Sequence, residues 1–170
     1  MDVIDAVVQR YSVRSYQDTE VEEEKINSVL EAARLSPSAS NRQEWRFVVV
    51  RDSATRQHLS DAASGQKFVA EAPVVVACCA ETDGHVMGCG HQCYPIDVAI
   101  AIEHMVLRGV ELGLGSCWIG AFDQEKVKEI LDIPDDVKVV ELLTLGYAAD
   151  SPKEKNRLPL EDIVKYEKWT

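Results

Sequence analysis

Two short basic segments lie near opposite ends of a chain that is otherwise acidic. The first, residues 10–16, reads Arg-Tyr-Ser-Val-Arg-Ser-Tyr and contains no acidic residue; the second, residues 153–157, reads Lys-Glu-Lys-Asn-Arg, three cations against one carboxylate. Arginine binds phosphate through a planar, bidentate guanidinium group, and serine adds a hydroxyl donor. Either segment alone could be a solvated surface run. If the fold brings them together, they would form one site for an anionic group.

Two further segments combine small or polar residues with backbone freedom. Residues 36–45 read Ser-Pro-Ser-Ala-Ser-Asn-Arg-Gln-Glu-Trp, and their short side chains could bind the edge of a heterocycle from a helix-to-strand turn. Residues 111–120 read Glu-Leu-Gly-Leu-Gly-Ser-Cys-Trp-Ile-Gly. Their glycines would let a flat ligand approach the backbone, and Trp118 would supply an apolar wall. Ordinary turn chemistry and a core strand after a helix explain each pattern equally well when it is taken alone.

A third group of candidate ligands lies in one loop, at His85, Cys89, His91 and Cys93. The pattern C-x-H-x-C could hold a metal, but structural zinc sites usually have closely paired ligands with a distant second pair. We therefore interpret these as loop residues and predict no metal site; a metal and a redox-active thiol pair are the alternatives. Five cysteines without a signal-peptide pattern favour reduced thiols and a cytoplasmic location.

Composition and missing motifs exclude several function classes. A length of 170 residues with 46% hydrophobic and 28% charged residues predicts one globular domain over residues 1–170, with a C-terminal arm at about 148–170. The apolar run at 74–80 is far too short to span a membrane. A net charge of −11 disfavours nucleic acid and membrane surfaces as partners. The chain also lacks the P-loop, HExxH, GxSxG and complete dinucleotide-binding motifs.

The hydrophobic pattern predicts the elements that must position these segments. Apolar spacing predicts helices over residues 3–8, 22–35, 53–63 and 95–112, a further helix capped by Asp123, and a helical patch near Ile163. Strands are expected over residues 45–50, 74–80 and 137–147, with a short apolar run at 116–120. This order predicts an α+β fold with a central mixed sheet flanked by helices. The helix 95–112 is apolar nearly all round, which favours a homodimer that buries it.

Taken together and in this order, the four segments resemble the nitroreductase family of FMN-dependent oxidoreductases. The motifs are RYSVRSY at 10–16, SPSASNRQEW at 36–45, ELGLGSCWIG at 111–120 and KEKNRLPL at 153–160. The resemblance covers residues 7–160 and implies an intertwined homodimer with two FMN sites at the subunit interface. The chain departs from the family at Glu44, where many members have proline, and at Tyr11, which is often basic. The stretch 80–95 is also short, without the helical excursions that cover the flavin in longer members.

The resemblance implies roles for individual residues. Arg10, Ser12 and Arg14 would hold the phosphate and one flavin edge, and the C-terminal cations would complete the phosphate site. The full implied FMN-binding set is Arg10, Ser12, Arg14, Gln66, Trp118, Ile119, Gly120, Lys155 and Arg157, with Pro37, Ser38, Ser40 and Asn41 contributed by the other subunit. Gln66 would face the flavin pyrimidine, and a backbone N–H within 118–120 would face N5. No side chain is expected to act as a nucleophile or base, because the flavin carries the redox chemistry.

The resulting functional prediction is an FMN-dependent NAD(P)H oxidoreductase. NADH or NADPH would deliver a hydride to flavin N5, and a nitroaromatic, a quinone or a similar flat acceptor would then take its place in ping-pong turnover. One alternative is a flavin-binding module that stores or senses FMN without efficient turnover. Another is a specialised family branch, such as a reductive dehalogenase or a flavin-modifying enzyme.

Overall fold

The α+β class is confirmed, with one four-stranded sheet between two groups of helices. The computed structural model describes residues 1–169. The strands are β1 (Trp45–Val50), β2 (Val74–Ala80), β3 (Gly115–Ile119) and β4 (Lys138–Gly146), in the order β1-β2-β4-β3. The helices are α1 (Val3–Gln9), α2 (Glu23–Arg34), α3 (Ser53–Ala62), α4 (Lys67–Glu71), α5 (Tyr94–Glu111), α6 (Gln124–Leu131) and α7 (Leu160–Ile163); a 3-10 turn, Ala39–Asn41, precedes β1.

Each face of the sheet carries its own hydrophobic core, because β2 and β4 are apolar on both faces. All seven residues of β2 are buried. Val75 and Ala77 belong to one core with residues of α3, α4 and α6, whereas Val74 and Val76 belong to the other with residues of α2 and α5. Full burial of a Val or Leu side chain contributes about 1.5–3 kcal/mol. These two cores hold the sheet that carries the basic segments.

Aspartate side chains cap three helices at their N-termini. Asp2 accepts the Asp5 N–H and forms a capping box at the start of α1. Asp52 accepts the Thr55 N–H at 2.8 Å before α3, and Asp123 accepts two N–H groups of the first turn of α6. An aspartate cap typically stabilises a helix by about 1 kcal/mol.

The sheet differs from the prediction in strand direction. All strand pairs within residues 1–169 are antiparallel, and the only parallel pairing there is a single bridge between Ser12 and Ser116. The connection from β1 to β2 starts and ends at the same sheet end, where Val50 pairs with Val75. It contains two short helices, α3 and α4, where one helix over residues 53–63 was predicted. The second of these, α4, was not predicted, because five residues are too few to show a helical period.

One chain leaves apolar surface uncovered on α1, α5 and the C-terminal arm. α5 packs one face against the sheet, but Ile96 at its start is 44% exposed. The arm after β4 has little contact with the core, and its large apolar side chains are exposed: Leu158, Leu160, Ile163, Tyr166 and Trp169. No helix within the described range 1–169 is long and apolar enough to cross a membrane. Exposed apolar surface of this extent is typical of an interface between subunits.

Candidate functional site

The fold brings the two basic segments together at one pocket. A cavity of about 330 Å³ lies between residues 10–14 and residues 150–157. Its lining contains Ser12, two carboxylates (Asp150 and Glu154) and five cations, so that cations are in excess by three; the cations are Arg10, Arg14, Lys153, Lys155 and Arg157. Like charges at this density repel one another, and an anion in the cavity would remove that cost. The expectation that both ends of the chain converge is therefore met in the structure.

Backbone pairing places the N-terminal basic segment along the edge of β3. The Val13 N–H donates to the Ser116 carbonyl at 3.0 Å. On the other side, the Ala149 N–H donates to the Ser15 carbonyl at 2.9 Å. The segment is thus held between β3 and the residues that follow β4. These contacts join positions more than 100 residues apart and present the arginines at the sheet edge.

Gly115 permits the close approach of the basic segment to β3. A Cβ atom at this position would lie 2.4 Å from Val13 Cγ2, and Val13 is fully buried. We expect Gly115→Ala to destabilise the protein by about 1–3 kcal/mol, because a stiff β-branched side chain must move within a packed core. Thermal unfolding measures this change. Gly88→Ala is the matched control, since no atom lies within 4 Å of its added methyl group; an equal loss in both variants would contradict the packing argument.

Asp150 joins the two segments and was not identified from the sequence. The Tyr11 hydroxyl donates to the Asp150 carbonyl at 2.9 Å, and the Arg14 N–H donates to the Asp150 carboxylate at 2.9 Å. Burial and the Asp150 charge raise the pKa of Tyr11, so its hydroxyl stays protonated as a donor. The signal that could have found Asp150 is Tyr11 itself, a hydroxyl donor where the family often has a cation.

One buried donor beside the pocket has no acceptor within residues 1–169. Arg10 Nε is buried and has no hydrogen-bond partner anywhere in residues 1–169. The Lys155 ammonium donates to the Val8 carbonyl. Desolvation, followed by the charges of Arg10 and Arg157, lowers the pKa of Lys155. An orphaned guanidinium nitrogen and mutual repulsion among cations are both relieved by a phosphate group, which therefore fits the donors present.

The predicted ring-binding strip forms the end of β3, an edge strand. The Ser116 carbonyl points away from β4 and accepts the Val13 N–H, whereas the Cys117 N–H points toward β4 and donates to Thr144 Oγ1 at 3.1 Å. The backbone N–H and carbonyl groups of β3 therefore alternate between the two directions from one residue to the next. By that alternation, the N–H groups of Trp118 and Gly120 point away from β4. Trp118 is half-buried, Ile119 is buried and Gly120 is exposed. The strip can therefore present backbone donors along the open edge.

Gln66 lies beside the far end of this strip. Its amide nitrogen donates to the Ala63 carbonyl at 2.9 Å and to the Ala121 carbonyl at 3.3 Å. Ala121 is five residues further along the chain than Ser116, which pairs with Ser12; in extended backbone this corresponds to roughly 16 Å at about 3.3 Å per residue. Ser12, the strip and Gln66 thus follow one edge of the sheet, next to the basic pocket.

The loop at residues 37–43 does not line the basic pocket of its own chain. Pro37, Ser38, Ser40 and Asn41 stand before β1, and β1 and β3 are the opposite edge strands of the sheet. Ser40 and Asn41 have φ angles of 50° and 58°, and Gln43 has 52°. Left-handed backbone costs about 1–3 kcal/mol at a non-glycine residue and clusters at functional sites. The strained backbone indicates that this loop is functional, but within one chain the loop does not reach the basic pocket.

The histidines of the 85–93 loop do not converge with its buried cysteine. His85, Cys89 and His91 are exposed, whereas Cys93 is buried. Cys93 Sγ donates to Glu44 at 3.4 Å, and burial followed by this contact raises the pKa of the thiol. Within the described part of the chain, the one group of three potential ligand atoms is Glu44, Cys93 and Asp97, all within 4.8 Å of one another. All five cysteines are free thiols.

Comparisons with known proteins place these features in one family. The model of the nitroreductase family matches residues 7–91 and 65–147. A putative NADH dehydrogenase/NAD(P)H nitroreductase of Methanothermobacter thermautotrophicus is 33% identical over 99% of this chain and 88% of its own. A nitroreductase family protein from Clostridium difficile superposes with a TM-score of 0.90 at 34% identity, over 99% of both chains. An FMN-dependent nitroreductase from Clostridium difficile has a TM-score of 0.80 at 30% identity, covering 97% of this chain and 96% of its own. The chain belongs to the nitroreductase family.

Proposed function

We propose that this protein is an FMN-dependent oxidoreductase that takes a hydride from NADH or NADPH and passes it to a flat acceptor, such as a nitroaromatic or a quinone. The observation that carries the proposal is the cationic pocket, in which Arg10 Nε is buried with no hydrogen-bond partner in the described part of the chain. The family members compared above are named as FMN-dependent and as NAD(P)H nitroreductases. When bound, FMN supplies a ring nitrogen, N5, that accepts and returns a hydride, so both substrates use one place in turn.

The protein's own residues bind and orient the cofactor. Arg10, Lys155 and Arg157 hold the phosphate, and the Ser12 hydroxyl adds a neutral donor. Arg14, at the rim of the pocket, supplies positive charge that favours negative charge on the reduced ring. The outward N–H groups of the β3 strip bind the polar edge of the ring. Because the flavin carries the redox chemistry, the protein contributes position and electrostatics.

We propose that the active unit is a homodimer. The exposed apolar residues of α1, α5 and the arm are the surface that a second copy covers, and burial of such surface drives association. In that dimer, the strained loop with Pro37, Ser38, Ser40 and Asn41 completes the flavin site of the other subunit. One domain over residues 1–170, with an arm from about 148, and a cytoplasmic location remain part of this proposal.

The visible spectrum of the purified protein tests the proposed function. We expect a yellow protein, or one that takes up added FMN, whose flavin absorbance bleaches when NADH or NADPH is added without oxygen. A quinone or a nitroaromatic compound should then restore the colour. Protein that binds FMN but is not reduced would instead be a storage or sensing module. A preparation that does not bind FMN would contradict the proposal.

The affinity for FMN should fall in the alkaline range, as the pH rises through the pKa of Lys155, which lies below the ordinary lysine value in the free protein. Desolvation and the neighbouring charges of Arg10 and Arg157 lower the pKa of Lys155 in the free protein, whereas a bound phosphate dianion raises it. Binding is therefore strongest below the free-protein pKa and weakens as pH rises toward the higher pKa of the complex. The affinity for FMN should fall by about tenfold at most, because only one charge-assisted contact is lost. Titrations of FMN fluorescence at a series of pH values measure it.

Lys155→Arg is the control for this pH profile. Arginine keeps its charge throughout the range, so the variant should bind FMN with an affinity that stays level where the wild type weakens. The second pKa of a phosphate is about 6, so phosphate ionisation does not produce a change above neutrality. An identical profile in both proteins would assign the titration to another group.

A further inference from the structure

Asp97 is a buried carboxylate on α5 that contacts the strained loop, not the basic pocket. Only 4% of the residue is exposed. Both of its oxygens accept the Ala39 N–H, at 3.1 and 3.2 Å. Ala39 is the first residue of the 3-10 turn, so its N–H has no partner within that turn. A carboxylate is costly to bury unless hydrogen bonds satisfy it. Because the Ala39 N–H supplies such a bond, the burial of Asp97 favours the observed position of the loop.

α5 holds the loop at a second point. His104 Nδ1 lies 2.7 Å from the Ser36 hydroxyl. Positions 97 and 104 are seven residues apart, which places them two turns apart on one face of a helix. The start and the middle of the loop are thus both attached to α5. A movement of this helix would move the loop with it.

The far end of the loop is held by Glu44, and a Glu44 carboxylate oxygen lies within 4.8 Å of an Asp97 carboxylate oxygen. Glu44 is buried, and it accepts from Arg42 at 3.0 Å and from the Thr82 hydroxyl at 3.0 Å. Between the Asp97 and Glu44 anchors lie the left-handed Ser40, Asn41 and Gln43. Residues with positive φ keep that conformation only where the surroundings impose it. The Ala39 contact is the anchor on the N-terminal side of this strained stretch.

We propose that Asp97 is a positioning residue for FMN binding. By holding the Ala39 N–H, it presents Ser38, Ser40 and Asn41 in the orientation that contacts the flavin of the other subunit. Asp97 acts through the loop and does not touch the cofactor. This inference rests on the proposed function. It adds that α5, part of whose surface the proposed dimer covers, also sets the geometry of the loop that crosses that interface.

Two substitutions at Asp97 and one control test the proposal by equilibrium binding of FMN. Asp97→Ala removes the acceptor and should weaken FMN binding about tenfold, the effect of one hydrogen bond to a charged group. Asp97→Asn keeps an oxygen that accepts the same N–H and should bind within about threefold of the wild type. Asp52→Ala is the matched control, because it also removes a carboxylate that accepts a backbone N–H, at the opposite end of β1. It should lower the melting temperature and leave FMN affinity unchanged.

A second readout does not require the cofactor. Without FMN, the amides of residues 38–43 should exchange hydrogen faster in Asp97→Ala than in the wild type, with no such change in Asp52→Ala. If Asp97→Ala does not fold, Ala39→Pro removes the donor from the loop side, and proline is accepted at the first position of a turn after the extended Ser38. That variant should also weaken FMN binding about tenfold.

The outcomes separate this inference from the proposed function. Wild-type affinity for FMN in whichever of Asp97→Ala and Ala39→Pro folds would overturn the positioning role while the proposed function stands. Equal losses in Asp97→Ala and Asp52→Ala would also overturn it, because both would then report stability alone. A wild-type protein that does not bind FMN would instead contradict the proposed function.

Discussion

Replacing Arg10 by Met should weaken FMN binding roughly 10- to 100-fold and leave riboflavin binding nearly unchanged. Arg10 Nε is already buried and has no hydrogen-bond partner among residues 1–169, so phosphate binding gains a charge-assisted hydrogen bond without further desolvation of this nitrogen. Methionine keeps an unbranched apolar stem of similar reach and removes only the guanidinium. Riboflavin lacks the phosphate, so its affinity reports the ring contacts by themselves.

Titration calorimetry with both ligands measures this difference, and Arg51→Met is the control. Arg51 is exposed and lies 3.9 Å from Glu20, and it does not line the basic pocket. Its replacement should change neither affinity. An equal loss of FMN and riboflavin in Arg10→Met would assign Arg10 to the ring instead of the phosphate. Unchanged FMN affinity in Arg10→Met would contradict the assignment of the phosphate site to this pocket.

Elements with a strong local pattern were predictable, and those defined by long-range contacts were not. β2 reads as a run of apolar residues at 74–80 because both of its faces are buried. The start of α5 was predictable because proline fits the first turn of a helix. The helix begins at Tyr94, one residue before the expected Pro95. The prediction of a mixed sheet was wrong, and the strands are antiparallel. A pattern of apolar residues does not show at which end of the sheet a connection enters the next strand. α4 is held by α3 and the core more than by its own five residues.

The site shows the same division. The two basic segments stand out in an acidic chain by composition, so their residues could be chosen from the sequence. Their convergence depends on the pairing of Ser15 with Ala149 and of Val13 with Ser116, contacts that no local pattern encodes. The left-handed Ser40 and Asn41 were also hidden, because the sequence has no glycine there to signal positive φ. The role of Asp150 depends on both of these long-range pairings.

Ending the chain at Asp150 should produce a folded monomer that no longer retains FMN. The missing arm carries Lys155 and Arg157, two of the cations of the pocket, and the exposed apolar residues assigned to the interface. The two hydrophobic cores contain no residue of this arm, and Asp150 still receives the bonds from Tyr11 and Arg14. We therefore expect a cooperative unfolding transition and, by light scattering, half the mass of the full-length protein. The affinity for FMN should fall at least 100-fold, because two phosphate contacts and the contacts of the partner's loop are lost together.

Two full-length variants separate the two functions of the arm. Lys155→Met with Arg157→Met removes the phosphate contacts that the arm supplies but keeps its apolar side chains, so the protein should remain a dimer and bind FMN weakly. Leu160→Asp with Trp169→Asp keeps the cations but places charge on the apolar surface, where an unpaired carboxylate strongly disfavours burial, so the protein should become a monomer. If that monomer bound FMN as tightly as the wild type, the loop at 37–41 would contribute nothing across the interface, and the site would be complete in one chain. A truncated protein that stayed dimeric would instead leave α1 and α5 as the whole of the interface, with the arm serving the phosphate alone.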